Sequence, residues 1–425
     1  MWPLCAGASP AASLQARLDA APPGSTISLS SGTWSGPVVI RKPVVLEGHG
    51  RAVIDGGGWG SVITLAADGI TLRGLIIQNS GDSHDQIDAA IAVRSSRNRI
   101  VGNRIRETLF GIDLREAHEN QILDKDIASK DVAMGLRGDG VRAWASNRNV
   151  FRGNRIHDSR DMIIWYSDGN LIENNQGWNN RYSLHFMYAG SNHVRRNRYW
   201  NSAVGIFLMY SHDATLEEND IRHAPGATGM GIGMKEVDNL RLLNNRILHC
   251  TTGLYLDQSP HDPYAFNLLL GNTVAYSSQG VVLHSTLRHN IFKGNVFRDN
   301  LEPLTVHANG TAEHNLWSGN YWDDYEGFDR DRNGYGDTAY VNRTFSGRLW
   351  MDDAWLQLFY GTPVLTVLDV LARLAPIVEP RVMLTDQTPL FEADSTLRLS
   401  PQNLHFRIPN EEEIEEELEL LETGG

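Results

Sequence analysis

His185 and Met187 stand two residues apart, Met209 follows 22 residues after Met187, and His212 comes three residues later. In an extended chain, side chains two residues apart share a face. Imidazole nitrogen and thioether sulfur together select soft ions, Cu(I) above all. The competing reading is packing, because methionine and histidine fill irregular spaces, and Trp165 beside them would fit a partner surface. A second cluster runs Asp329-Arg330-Asp331-Arg332-Asn333-Gly334-Tyr335-Gly336-Asp337, a D-x-D-x-N-G-x-G-D pattern. It follows the opening of a calcium loop, with side-chain oxygens at Asp329, Asp331 and Asn333, a glycine for the sharp turn, the backbone of Tyr335 and then Asp337. The twelfth position is Tyr340, so the bidentate glutamate is missing. The loop reads either as a weaker, structural Ca2+ site or as an acidic Asn-Gly turn without metal.

The elements that must hold these residues show in a repeat. The phrase Asn-x-apolar-x-x-Asn-x-apolar occurs at Asn98, Asn149, Asn170, Asn192, Asn267, Asn290 and Asn315. Its second asparagines, Asn154, Asn175, Asn197 and Asn219, are spaced by 21 or 22 residues, and Asn245, Asn272, Asn295 and Asn320 continue at 23 to 27. Short apolar alternations between turn signals are strands, each too short to bury a core unless coils stack. Parallel strands joined in this way cross over right-handedly. The expected fold is all-β: a right-handed, single-stranded parallel β-helix, a solenoid of about 22 residues per coil. Asparagine suits its tight turns because it tolerates the left-handed conformation and its amide can bond to the next coil. Leu14–Ala20 should be a short helix covering the open first end, and Val44-Val45-Leu46 and Ile70–Ile77 the first coils.

Aligning the coils by the glycine before each strand sorts side chains into columns. Ile164, Phe186, Leu208 and Met234 form an apolar column that should point inward. The neighbouring residues should then point outward. They are Ile163, His185 and Phe207 on one side and Trp165, Met187, Met209, Lys235, Asp257 and His284 on the other. Coils about 4.8 Å apart let residues of one column touch one ligand. No column stacks Asp with Lys and Arg in the manner polyuronate chemistry requires. Ser259-Pro260-His261-Asp262 is only superficially like the Asp-Pro-His-Asp of alginate epimerases, because Ser259 stands where the first Asp belongs.

The repeats stop after Trp322. The expected organisation is 1–12 as an export-signal remnant or disordered lead, 13–322 as the β-helix with its cap, and 323–349 as the acidic loop and linker. Residues 350–391 would form an apolar helical segment and 392–425 an acidic tail. Leu356, Phe359, Tyr360, Val367, Leu368 and Leu371 fall on apolar helical faces suited to docking. Eight glutamates lie between Glu411 and Glu422, which leaves −5 of the −13 formal charge for the rest of the chain. This is no nucleic-acid footprint. Two cysteines make no disulfide framework. Residues 1–10 lack the basic and long apolar stretches of a complete signal peptide.

Three blocks resemble the NosD family: His185-Phe186-Met187-Tyr188, Leu208-Met209-Tyr210-Ser211, and Gly319-Asn320-Tyr321-Trp322-Asp323-Asp324-Tyr325 running into the acidic loop. Leu358–Pro363, Val367–Pro380 and Thr388-Pro389-Leu390 extend the resemblance, which spans roughly residues 13–391. It implies a periplasmic protein that binds Cu(I) transiently and takes part in assembling the copper sites of nitrous oxide reductase. The implied partners are the membrane subunit of an ABC transporter with its ATPase, a lipoprotein copper chaperone and the apo-reductase. The resemblance strengthens the soft-metal reading of His185, Met187 and Met209 and gives the apolar helices a docking role. The incomplete export signal and the acidic tail depart from the family. A polyuronate lyase or C5-epimerase and a metal-free structural adaptor are the alternative readings.

Overall fold

The computed structural model describes residues 13–308, 310–343, 362–364, 367, 371, 382–393 and 399. These residues are nearly all β, a parallel β-solenoid with one short α-helix near the N-terminus. They divide into two units, at residues 1–181 and 182–425.

The first unit starts with the helix Leu14–Ala20, whose N-cap Ser13 accepts a hydrogen bond from Ala16 N–H. Leu14 and Leu18 are buried beneath it. Gln15 treats the strand Val38–Ile40 as a neighbouring strand would: its Oε1 accepts from Val39 N–H at 2.8 Å and its Nε2 donates to Val39 C=O at 3.0 Å. One side chain thus closes the open edge that any solenoid end presents. The coils begin earlier than the sequence pattern shows. Thr26–Ser28 and Gly32–Ser35 already pair in parallel with the long strand Val45–Asp55. Strands this short and this rich in Ser, Gly and Thr carry little apolar alternation.

The second unit repeats two parallel ladders. One carries Tyr182–Met187, Val204–Met209, Met230–Lys235, Thr252–Asp257, Gln279–His284 and Glu302–His307 in unbroken parallel register. Its inward column, Phe186, Leu208, Met234, Leu256, Leu283 and Val306, is buried. Four of these six strands carry a glycine near their start, Gly205, Gly231, Gly253 and Gly280, and crowding requires it. A Cβ on Gly205 would sit 2.5 Å from Gly231 O, and one on Gly231 2.3 Å from Ile247 Cγ2.

The asparagines form buried ladders through both units. In the first, Asn98, Asn120 and Asn149 each donate their backbone N–H to the side-chain Oδ1 of the next ladder residue, ending at Asn170, at 2.8–2.9 Å. In the second, Asn197, Asn219, Asn245, Asn272 and Asn295 do the same, ending at Asn320. The left-handed turn residue is the one before each ladder asparagine, as at Glu218, Asn244, Gly271, Gly294 and Gly319. Asparagine is therefore selected here for its buried amide, and the left-handed conformation expected of it belongs to its predecessor.

The ladder ends on a carboxylate. Asp386, fully buried, accepts from Gly319 N–H, Asn320 N–H, Asn320 Nδ2 and Trp322 Nε1. It lies on the strand Val382–Asp386, antiparallel to Tyr340–Arg343. This strand falls inside the 350–391 stretch expected to be helical. Among the described residues of that stretch, 363, 364, 367 and 371 are helical.

Candidate functional site

The outward face of the strands Tyr182–Met187 and Val204–Met209 carries the soft donors. Met187 and Met209 are direct register partners, as are His185 and Phe207. Inward Phe186 and Leu208 fix the twist of both strands, so His185 and Met187 share the opposite face. His185 Nε2 lies 3.4 Å from Met209 Sδ. Its ring stacks on Tyr182 at 4.7 Å and meets Phe207 edge-on at 6.3 Å, and the residue is only 7% exposed. Met187 and Met209 are half-buried. Beside them Tyr188 and Tyr210 stack at 4.8 Å, and Lys235 Nζ lies 5.9 Å over the Tyr210 ring. Thioether and imidazole thus meet within an aromatic wall, with little solvent on the imidazole. Phe207 is already legible in the outward column, but Tyr182 and the Tyr188–Tyr210 stack are not: Tyr182 shares the column of Val204, and Tyr188 and Tyr210 follow their strands with positive φ.

His212 stands apart from this contact. Its Nδ1 faces Asp213 Oδ2 at 2.8 Å, and its ring lies over Gly190, where an added Cβ would meet Cε1 at 2.5 Å. Among the described residues no three His, Cys, Asp or Glu side chains converge to hold a metal. A site at His185 must therefore draw on the methionines.

The same outward row continues from Met209 through Lys235, Asp257 and His284 to His307. Asp257 Oδ1 and His284 Nδ1 are 3.0 Å apart. Burial, and then the neighbouring charge of His284, lower the pKa of His307. Thr305, on the flanking column, donates from Oγ1 to Glu302 at 3.0 Å, and burial raises the Glu302 pKa.

The acidic loop closes on itself. Asp329 accepts from Asn333 N–H and Gly334 N–H at 3.1 and 3.0 Å, and Asp331 accepts from Asn333 Nδ2 at 2.8 Å. Asn333 Oδ1 accepts from Tyr335 N–H, and Asp337 Oδ2 from Arg330 N–H. Gly334 takes φ +87°, which only glycine adopts freely. Of the apolar docking residues, Val367 and Leu371 are helical and exposed by 56% and 52%. Leu356, Phe359, Tyr360 and Leu368 lie outside the described residues.

Two features bear on polyuronate chemistry. Ser259 is fully buried and serves the coil turns, accepting from Val237 N–H while its own N–H donates to Thr286 Oγ1. It is a turn residue rather than part of a catalytic set. In the first unit, Asp113 and Arg142 are register partners on adjacent coils, and Asp113 is clamped between Arg94 and Arg142 at 2.5 and 2.9 Å. The column runs Ala92, Asp113, Arg142, Ile163, so this Asp–Arg pair stacks without a lysine. Both oxygens of the carboxylate are spent on arginine, which leaves no base.

The NosD model, described as periplasmic copper-binding protein, matches residues 124–327. A probable ABC transporter binding protein NosD from Pseudomonas aeruginosa is 33% identical over 368 residues, covering 83% of this chain and 85% of that protein. Its namesake from Stutzerimonas stutzeri is 28% identical, covering 83% of each. Among solved structures, a PL6 alginate lyase in complex with a trisaccharide gives a TM-score of 0.51 at 13% identity, over 72% of this chain and 81% of the lyase. A Yersinia enterocolitica family 28 exopolygalacturonase gives 0.50 at 10% identity, over 71% and 74%. At such identities the two carbohydrate enzymes show the fold alone, while the relatives that share sequence are named as binding proteins. The chain belongs to the NosD family of periplasmic copper-binding proteins.

Proposed function

We propose that this protein takes up Cu(I) on the outward face at His185, Met187 and Met209 and releases it during assembly of the copper sites of nitrous oxide reductase. The observation that carries the reading is the 3.4 Å approach of His185 Nε2 to Met209 Sδ, with Met187 on the adjoining rung. Neutral thioether and imidazole donors stabilise Cu(I) without adding charge, and a site open on one side can exchange its ion. His212 would join only after its ring leaves Gly190, which makes it a ligand of the transfer step. A lipoprotein chaperone would supply the ion and the apo-reductase would receive it. The exposed Val367 and Leu371 would face the membrane subunit of the ABC transporter, whose ATPase drives release.

An anaerobic Cu(I) titration against a coloured chelator tests the uptake site. The parent should compete for one Cu(I), and Met187→Ala/Met209→Ala should weaken binding at least about tenfold. Equal competition by both proteins would remove the site. The acidic loop carries a separate reading as a structural Ca2+ site, supported by the spacing of Asp329, Asp331, Asn333 and Asp337 along one tight turn, in which Tyr335 would lend its carbonyl. Excess Ca2+ should then raise Tm and EDTA lower it, since a ligand of the native state stabilises it. A Tm indifferent to both would leave the loop a self-bonded acidic turn.

A further inference from the structure

The row that begins with two thioethers ends with two imidazoles. His284 and His307 are register partners on adjacent strands, about 4.8 Å apart along the stack, and Asp257 is the rung before them. The Asp257–His284 contact, Oδ1 to Nδ1 at 3.0 Å, has a specific chemical consequence. A carboxylate facing Nδ1 fixes the tautomer with its proton there and leaves the Nε2 lone pair directed away. The Tyr255 ring lies alongside the same ring, with centroids 6.1 Å apart. Carboxylate, oriented imidazole and a second imidazole one rung on are the parts of a histidine metal site with its positioning residue in place.

We infer that His284 and His307 form a second metal site, distinct from the thioether cluster, which takes a borderline divalent ion such as Cu(II) or Zn(II). Imidazole without thioether favours these ions over Cu(I). Three rungs, about 14 Å, separate His284 from Met209, so one ion cannot bridge the two clusters. Lys235 stands between them on the same row. Two protein nitrogens leave the remaining coordination positions to water or to a donor from a partner protein. Asp257 is a positioning residue that acts through His284.

The test uses Cu(II) in air, with glycine as a weak competing chelator and the full chain. The parent should bind one Cu(II) whose electron paramagnetic resonance spectrum shows hyperfine coupling to two imidazole nitrogens. His284→Gln/His307→Gln, which keeps side-chain bulk, should lose that signal while its melting curve is unchanged. Asp257→Asn should weaken binding about 10- to 100-fold without abolishing it. Met187→Ala/Met209→Ala should leave Cu(II) binding intact, which separates this site from the Cu(I) reading. The exposed His223–His249 pair, stacked at 5.0 Å, is the internal control, and His223→Ala/His249→Ala should change nothing. Absence of binding by the parent, an undiminished signal in the His284/His307 variant, or loss of the signal in the His223/His249 variant would each overturn the assignment.

Discussion

At the residue scale, Lys125 shows what one ladder position is worth. It occupies the place of an asparagine between Asn103 and Asn154, and its own N–H donates to Asn154 Oδ1. Its side chain offers no oxygen for Asn103 N–H. Its Nζ is buried with no hydrogen-bond partner among the described residues, and the residue is 1% exposed. Burial holds its pKa well below the usual lysine range. The folded pKa is therefore below the unfolded one, so the unfolded chain binds the extra proton between the two. Stability should fall as pH drops below about 10 and level off beneath the folded-state pKa. Lys125→Asn should remove that slope and gain about 1 kcal/mol by restoring the missing acceptor. Urea midpoints for both proteins across pH 7 to 10 check it. A variant less stable than the parent, or with the parent's pH slope, would contradict it. Cys250 is the opposite case, a buried thiol pushed up to about 11 by desolvation, and it should resist alkylation in the native state.

At the element scale, the C-terminal strand behaves as the last rung of the asparagine ladder. Replacing Asp386 with Ala would leave Gly319 N–H, Asn320 N–H and Trp322 Nε1 without their acceptor. A loss of about 3 kcal/mol is expected. It should appear in hydrogen exchange first at the rungs nearest Asn320, because solenoid coils contact only their neighbours. Uniform loss of protection along the chain would contradict this. The element scale also shows how much was legible. Regular Asn-x-apolar spacing revealed the coils, and the recurring small residue near each strand start aligned the columns well enough to place Met187 opposite Met209. Asp386 was not legible, because it lies 66 residues from Asn320, and no local pattern marks a single aspartate as the substitute for a ladder asparagine. The Asp113–Arg142 stack escaped because the early coils have irregular lengths, 29 residues between these partners, which blurred the alignment. The His185–Met209 contact was legible only as a shared face; its closeness depends on the Tyr182 and Phe207 rings that crowd His185.

At the scale of the whole molecule, the fold and the family point in different directions, and the side chains decide between them. The solenoid is shared with polysaccharide enzymes at 10–13% identity. Their chemistry needs a poised base, an acid and a partner for the substrate carboxylate. In this chain several buried acids of the first unit are tied to arginines, Asp113 to Arg94 and Arg142 and Asp139 to Arg160, while buried Asp88 accepts from Ser83 N–H. The protein should therefore release no unsaturated product from alginate or pectate. Steady release above a buffer blank would contradict the binding-protein reading. Among the described residues no helix is long and apolar enough to cross a membrane. The central claim is chemical: soft donors gathered on one outward face by coil stacking bind Cu(I). X-ray absorption on the Cu(I)-loaded protein, prepared anaerobically with one equivalent of ion, tests it most directly. A copper shell of sulfur together with imidazole nitrogen is predicted, with the sulfur lost in Met187→Ala/Met209→Ala. A shell of nitrogen and oxygen alone, or sulfur that persists in that variant, would contradict it.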